Sequence, residues 1–179
     1  MRILWRMLLV VTVLWTARES SAQTVPITEP AFFSVTISTP GSEVKTGSAV
    51  ELTITTKNIS AQNIYHIVTA GGPPGRSLQI DLRDSGGNPV LETPYGRKAH
   101  GKDRGPWHGS SFVERVLVKP GETFDEKVDL SKEYDLSRAG TYTIQVQRSD
   151  LVSDEQRKSH SKMIANIVKS NTITISVTQ

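Results

Sequence analysis

Apolar and polar residues alternate with a period of two along much of the chain. That spacing sets one face of a β-strand in a core and the other in water. Within 31–38, Phe33, Val35 and Ile37 share one face. Within 49–57, Val50, Leu52 and Ile54 face in while Glu51, Thr53 and Thr55 face out. A third short apolar run covers 64–69. Segment 78–84 alternates into Ser85-Gly86-Gly87-Asn88, and 89–93 follows, which predicts a β-hairpin with a glycine-rich turn. Further strands are predicted at 112–118, around Phe124 with 127–130, at 142–147 and at 172–177. Pro40-Gly41, the run Gly71-Gly72-Pro73-Pro74-Gly75 and Lys119-Pro120-Gly121-Glu122 punctuate them.

About nine such strands with no convincing helix predict an all-β protein. The expected architecture is an Ig-like antiparallel β-sandwich of about seven to nine strands. The many Thr and Val residues agree, because β-branched side chains suit a pleated surface. Segment 151–167 reads as a solvated loop or a short helix, with a loop into the last strand preferred. Tyr-Asp-Leu-Ser at 134–137 followed by Gly140-Thr141-Tyr142 has the form of a tyrosine corner. Tyr142 is expected to tie its hydroxyl back to the corner backbone, with Asp135 and Ser137 capping the same turn.

The first residues change the picture of charge and destination. Arg2 and Arg6 precede the apolar run 7–15, and Ser20-Ser21-Ala22 supplies small residues for a signal peptidase. Residues 1–22 are therefore expected to be a signal peptide cleaved before Gln23, with export to a periplasmic or extracellular location. The apolar run is well short of the ~20 residues a spanning helix needs. Residues 23–30 read as a loose leader and 31–179 as a single sandwich domain. The full chain has 21 Lys and Arg against 18 Asp and Glu. Loss of Arg2, Arg6, Arg18 and Glu19 leaves 18 against 17, a net of +1. No global charge then drives nucleic-acid binding. The chain has no cysteine, which excludes disulfide scaffolds, thiol catalysis and Cys-ligated zinc.

Segments 117–144 and 168–177 carry Pro-Gly-Glu, Val-Asp-Leu-Ser, Tyr-Asp-Leu-Ser, Gly-x-Tyr and Ser-Asn in order. Together they resemble the β-sandwich segment that precedes the catalytic domain of deuterolysin-type metalloendopeptidases. The Pro-Gly-Glu and Gly-x-Tyr pieces also resemble BsuPI-type proteinase inhibitor domains. The resemblance covers less than half of the chain after Ala22, and its motifs are turns and corners. It implies a fold that docks on a protein surface. Peptidase activity does not carry over: none of His66, His100, His108 and His160 belongs to a His-Glu-x-x-His motif.

For chemistry, segment 94–109 stands out. It gathers Arg97, Lys98, Lys102 and Arg104 with Tyr95, Trp107, His100 and His108 among glycines. A basic, aromatic loop suits an acidic polymer, a glycan or a partner's carboxylates; a solvated loop with Trp107 packed on the sandwich is the alternative. Arg97, Lys98, Lys102, Arg104, Trp107 and His108 are the candidate binding residues. His100, Asp103 and His108 have metal-ligand chemistry but match no established spacing, so no metal and no cofactor is expected. His66 reads as a core or edge histidine and His160 as a surface one. No Gly-x-Ser-x-Gly elbow occurs, and the pair Asp125-Glu126 falls on opposite faces of a strand. The expectation is a non-catalytic, exported module that binds a protein or an extracellular polymer, with no nucleic acid and no membrane span after cleavage. The alternative is a proteinase inhibitor or pro-domain-like regulator of a secreted peptidase.

Overall fold

The structure, a computed structural model, describes residues 31–70, 78–103, 112–149, 151–158 and 166–179. The leader, the 71–75 break, His160, and Arg104, Trp107 and His108 lie outside the described residues. In chain order the elements are β1 (Phe33–Ser38), β2 (Glu43–Lys45), β3 (Glu51–Asn58), β4 (Ile64–Ala70), β5 (Leu78–Arg83), α1 (Pro94–Ala99), β6 (Phe112–Val118), β7 (Thr123–Asp129), α2 (Leu130–Glu133), β8 (Gly140–Arg148), β9 (Leu151–Ser153), α3 (Asp154–Lys158) and β10 (Val168–Thr178).

The strands form sheets ordered β1-β3-β7, β2-β10-β8-β5 and β6-β4-β9. All ladders are antiparallel except β2 with β10. The first two sheets close on one core. Phe33, Val35, Ile37, Leu52, Ile54 and Val128 on one side meet Leu78, Leu82, Tyr142, Ile144, Val146, Ile175 and Val177 on the other. Three strands facing four, with a tyrosine corner leading into β8, is an immunoglobulin-like β-sandwich. The third sheet prolongs the first: β3 runs on into β4 and β6 into β7, so β4–β6 extends the β3–β7 ribbon. The inward positions read from the sequence in β1 and β3 are buried as expected.

The motif residues make turns. Pro120 and Gly121, the latter at φ 79°, form a turn closed by the Glu122 N–H on the Lys119 carbonyl at 3.0 Å. The Glu122 carboxylate accepts from the Lys119 N–H at 2.8 Å. Tyr142 donates its hydroxyl to the Arg138 carbonyl at 2.7 Å, and Asp135 accepts from the Ser137 N–H at 3.1 Å. Ser170 and Asn171 sit where the β10–β8 register shifts. There the Ser170 hydroxyl accepts from the Val146 N–H at 2.9 Å. Asn171 accepts from the Ile37 N–H at 2.8 Å and donates to the Ile37 carbonyl at 3.1 Å. Its side-chain amide thus stands in for a ladder partner and ties β1 to β10.

Several expectations are corrected. Residues 89–93 do not make a second hairpin strand. To β5 they keep only the Arg83–Pro89 bridge and the Val90 N–H on the Leu82 carbonyl at 3.0 Å; beyond these, Glu92 bridges to Tyr134 and the Leu91 carbonyl accepts from the Asp135 N–H at 2.9 Å. Proline has no N–H for a ladder, and the chain turns away with Leu91 76% exposed. Three short helices are present among the described residues. Pro94 starts α1 behind the N-cap Thr93, and Asp129 caps α2. The 151–167 segment opens with β9 and α3 instead of a plain loop. Strand β10 lies inside its sheet between β2 and β8.

Candidate functional site

The inward periodicity of β3 and β8 ends in polar residues: Thr56, Asn58 and Arg148 are all fully buried. Arg148 donates to the Thr56 hydroxyl at 2.5 Å and pairs with Glu126, and its guanidinium lies 5.0 Å from the Phe124 ring centre. His66 stacks on Phe124 at 4.7 Å between centres and meets Arg148 at 3.4 Å. Asp125, on the opposite face from Glu126, accepts from Thr55 at 2.7 Å. These groups bolt the two sheets together. A buried guanidinium with a carboxylate, a hydroxyl and an aromatic face around it is satisfied internally. His66 is half-buried on β4, the central strand of its three-stranded sheet, so of the two readings of this histidine it is the core one and not the edge one.

The other polar cluster is built around α1. Its N-cap, Thr93, ties the helix to α2 by two bonds and caps α1 itself by a third. The Thr93 N–H donates to the Glu133 carbonyl at 2.9 Å, and the Thr93 hydroxyl donates to the Lys132 carbonyl at 2.5 Å. The same hydroxyl accepts from the Gly96 N–H at 3.0 Å. Gly96 is buried where α1 meets α2; a Cβ there would overlap the Glu133 carbonyl, with the carbonyl carbon only 2.8 Å away. Glycine is needed for that close approach.

Beyond the helix, the His100 ring lies between two carboxylates. Its Nδ1 is 2.7 Å from Glu92 Oε1 and its Nε2 is 3.1 Å from Glu133 Oε2. Lys102 Nζ also reaches Glu92, at 2.9 Å. Burial alone would raise the Glu92 carboxyl, but contacts from Lys102 and His100 outweigh it and hold that group below the usual carboxylate range. Tyr134 packs its ring 5.8 Å from His100 and donates its hydroxyl to the Ile80 carbonyl at 3.0 Å. Leu78, Gln79, Ile80, Glu92, His100, Lys102 and Tyr134 line a cleft of about 340 Å³.

Of the residues predicted from sequence, Arg97, Lys98 and Lys102 are placed. Arg97 pairs with Asp103 at 2.8 Å and Lys102 with Glu92, while Lys98 is exposed on α1. Tyr95, one turn before Lys98, is 57% exposed. The side chains of Lys132 on α2 and Lys127 on β7 are also largely exposed. Tyr95, Lys127 and Lys132 border a second cleft of about 370 Å³ with Glu51, Asp129 and Glu133. Of the suggested metal set, His108 lies outside the described residues, the His100 nitrogens face different carboxylates and Asp103 faces Arg97. Sequence reasoning missed Glu92, Glu133 and Arg148. Only Arg148 had a local signal, as the fourth inward position after Tyr142, Ile144 and Val146.

No protein-family model and no curated protein matches the chain. Among solved structures it is similar to the CARDB domain of a Pyrococcus furiosus protein in complex with di-metal ions. The identity is 14% over 82% of this chain and 87% of that one, with a TM-score of 0.40. A β-glucosidase from Listeria innocua in complex with isofagomine is 14% identical over 81% of this chain and 16% of its own length, at a TM-score of 0.39. A bacterial hydrophobin is 16% identical over 83% of this chain and 97% of that one, at 0.35. The fold assignment rests on the sheet order and shared core described above.

Proposed function

We propose that this chain is an exported, non-catalytic binding module that engages a carboxylate-bearing protein or extracellular polymer through α1 and its neighbouring loops. One observation carries the reading. The close Gly96–Glu133 approach fixes α1 so that Tyr95 and Lys98 stand in solvent, while His100, Glu92 and Lys102 pair with one another. A tyrosine beside a lysine on a rigid element is an anchor-and-charge pair suited to carboxylate recognition. Export is supported by the signal-peptide pattern of 1–22; N-terminal sequencing of the protein recovered from the envelope or medium is expected to begin at Gln23.

The test is capture of ligand by the chain starting at Gln23, compared with its Tyr95→Ala/Lys98→Glu variant, alongside turnover assays on peptide and glycan panels. The reading expects capture that the variant loses, with no turnover. Hydrolysis of any substrate that disappears on His100→Gln overturns it. The regulator reading draws on the motif resemblance. Those motif residues serve here as turn, corner and bulge, so the support is one of fold. Inhibition in a panel of metallo- and serine peptidases is the outcome that would favour it.

A further inference from the structure

A third cleft, of about 290 Å³, opens between the 45–48 turn, which leads from β2 towards β3, and the 134–137 corner. Its floor is Val50, Tyr134, Leu136 and Val177, all buried in the shared core. Its rim is polar. On one side the Ser48 N–H closes the turn on the Lys45 carbonyl at 3.0 Å, with Gly47 at φ 82°. Such a turn brings the Cα atoms of the exposed Lys45 and Ser48 within about 7 Å. Thr46 fixes it to the end of β10, its N–H and hydroxyl donating to the Thr178 carbonyl at 2.7 and 2.9 Å. On the other side stands Asp135. Bonds from the Ser137 hydroxyl and N–H hold its carboxyl below the usual carboxylate range, so it is an anion at neutral pH. Among the described residues neither Lys45 nor Asp135 makes an ion pair, with the other or with a third group. Arg138 acts on Asp135 only at a distance.

The floor and the two sides of the rim select three parts of one small molecule. The floor's one side-chain polar atom, the Tyr134 hydroxyl, is committed to the Ile80 carbonyl, so the floor suits an aliphatic group better than water. The Lys45 ammonium beside the Ser48 hydroxyl suits a carboxylate, and the flexible lysine stem lets the charge follow it. Asp135 suits an ammonium. The volume lies at the lower end of ligand pockets, about 300 Å³, too small for a polymer or a long acyl chain. We propose that this cleft is a site for a free amino acid with a short branched aliphatic side chain. The side chain fills the floor, the carboxylate meets Lys45 and Ser48, and the ammonium meets Asp135. The site uses neither Tyr95 nor Lys98, so it stands or falls independently of the proposed function.

Titration of the chain starting at Gln23, followed by amide chemical shifts at neutral pH, tests it with three probes. Leucine carries all three parts, isocaproate lacks the ammonium and isoamylamine lacks the carboxylate. Leucine is expected to shift the amides of 45–48 and 135–137 saturably, with half-saturation at about 1 mM or below. Each half-molecule is expected to bind at least about tenfold more weakly. Lys45→Gln should leave leucine binding no better than isoamylamine. Asp135→Asn, which keeps an acceptor for the Ser137 N–H, should leave it no better than isocaproate. Unchanged β8 amide shifts show that each variant is folded. The absence of a saturable leucine shift overturns the proposal, as do shifts confined to other segments. So does a half-molecule that binds the wild type as tightly as leucine, or a leucine advantage that survives both substitutions.

Discussion

Replacing Gly96 by alanine separates two opposing effects. By helix propensity alone the change stabilises by up to about 1 kcal/mol. The packing says the reverse. A Cβ at 96 overlaps the Glu133 carbonyl and lies 2.8 Å from its carbon and 3.0 Å from its Cα, all backbone atoms that no rotamer change can clear. Either α1 and α2 spread apart or the backbone distorts, and overpacking of this kind costs about 1–3 kcal/mol. Spreading also breaks the Thr93 bonds to the Glu133 and Lys132 carbonyls, at about 1 kcal/mol each. The clash wins, with a net loss of about 2–4 kcal/mol. At this chain length that lowers Tm by roughly 5–12 °C. Urea denaturation and thermal melts of the two proteins measure it directly. An alanine variant as stable as the wild type, or more stable, refutes the close approach of α1 to α2.

Three further outcomes follow from the same geometry. Asn171→Ala strips the Ile37 N–H and carbonyl of their partner and is expected to cost about 1–3 kcal/mol in urea denaturation; an unchanged midpoint counts against the bulge acting as a seal between sheets. Arg148→Ala leaves Glu126 and Thr56 unpaired beside a hole and should destabilise by about 3–5 kcal/mol, less if the one-third exposed Glu126 rehydrates. The Glu92 and Asp129 carboxyls are both held low: burial raises each, and it is outweighed at Glu92 by Lys102 and His100 and at Asp129 by bonds from Ser131, Val50 and Lys132. A depressed folded value means their stabilisation is complete above the ordinary carboxylate range and is lost as pH falls through the lowered values. Asp129→Asn with Glu92→Gln is therefore expected to flatten the acid limb of a denaturation-midpoint profile, and an unaltered limb would exclude these groups as its cause.

Much of the sandwich was legible because its strands keep a period of two. Phe33, Val35 and Ile37, or Leu52 and Ile54, announce a buried face without knowledge of their partners. The same pattern carries polar Thr56, Asn58 and Arg148 to inward positions, where the apolar code says nothing and only the three-dimensional pairing explains them. Helix α1 was not legible, since six residues complete too few turns for a 3.6-residue repeat to show. Its Pro94 and Thr93 cap were the only local signals. The glutamates that hold His100 come from the strap and from α2, 33 positions away, and such a meeting follows from the fold. The place of β10 between β2 and β8 was not legible either, because sheet order is not written in local alternation.

The central claim is that the face presented by α1 binds carboxylate-bearing partners and catalyses nothing. Isothermal titration of the chain starting at Gln23 with poly-glutamate, a polyuronate and neutral dextran tests it most directly. The account predicts salt-sensitive binding to one or both acidic polymers and none to dextran. It also predicts at least about a tenfold loss of affinity in Tyr95→Ala/Lys98→Glu, the size expected when an anchor residue and a charge contact are both removed. Equal heats for all three polymers, no binding to either acidic one, or binding that the double variant keeps would contradict it.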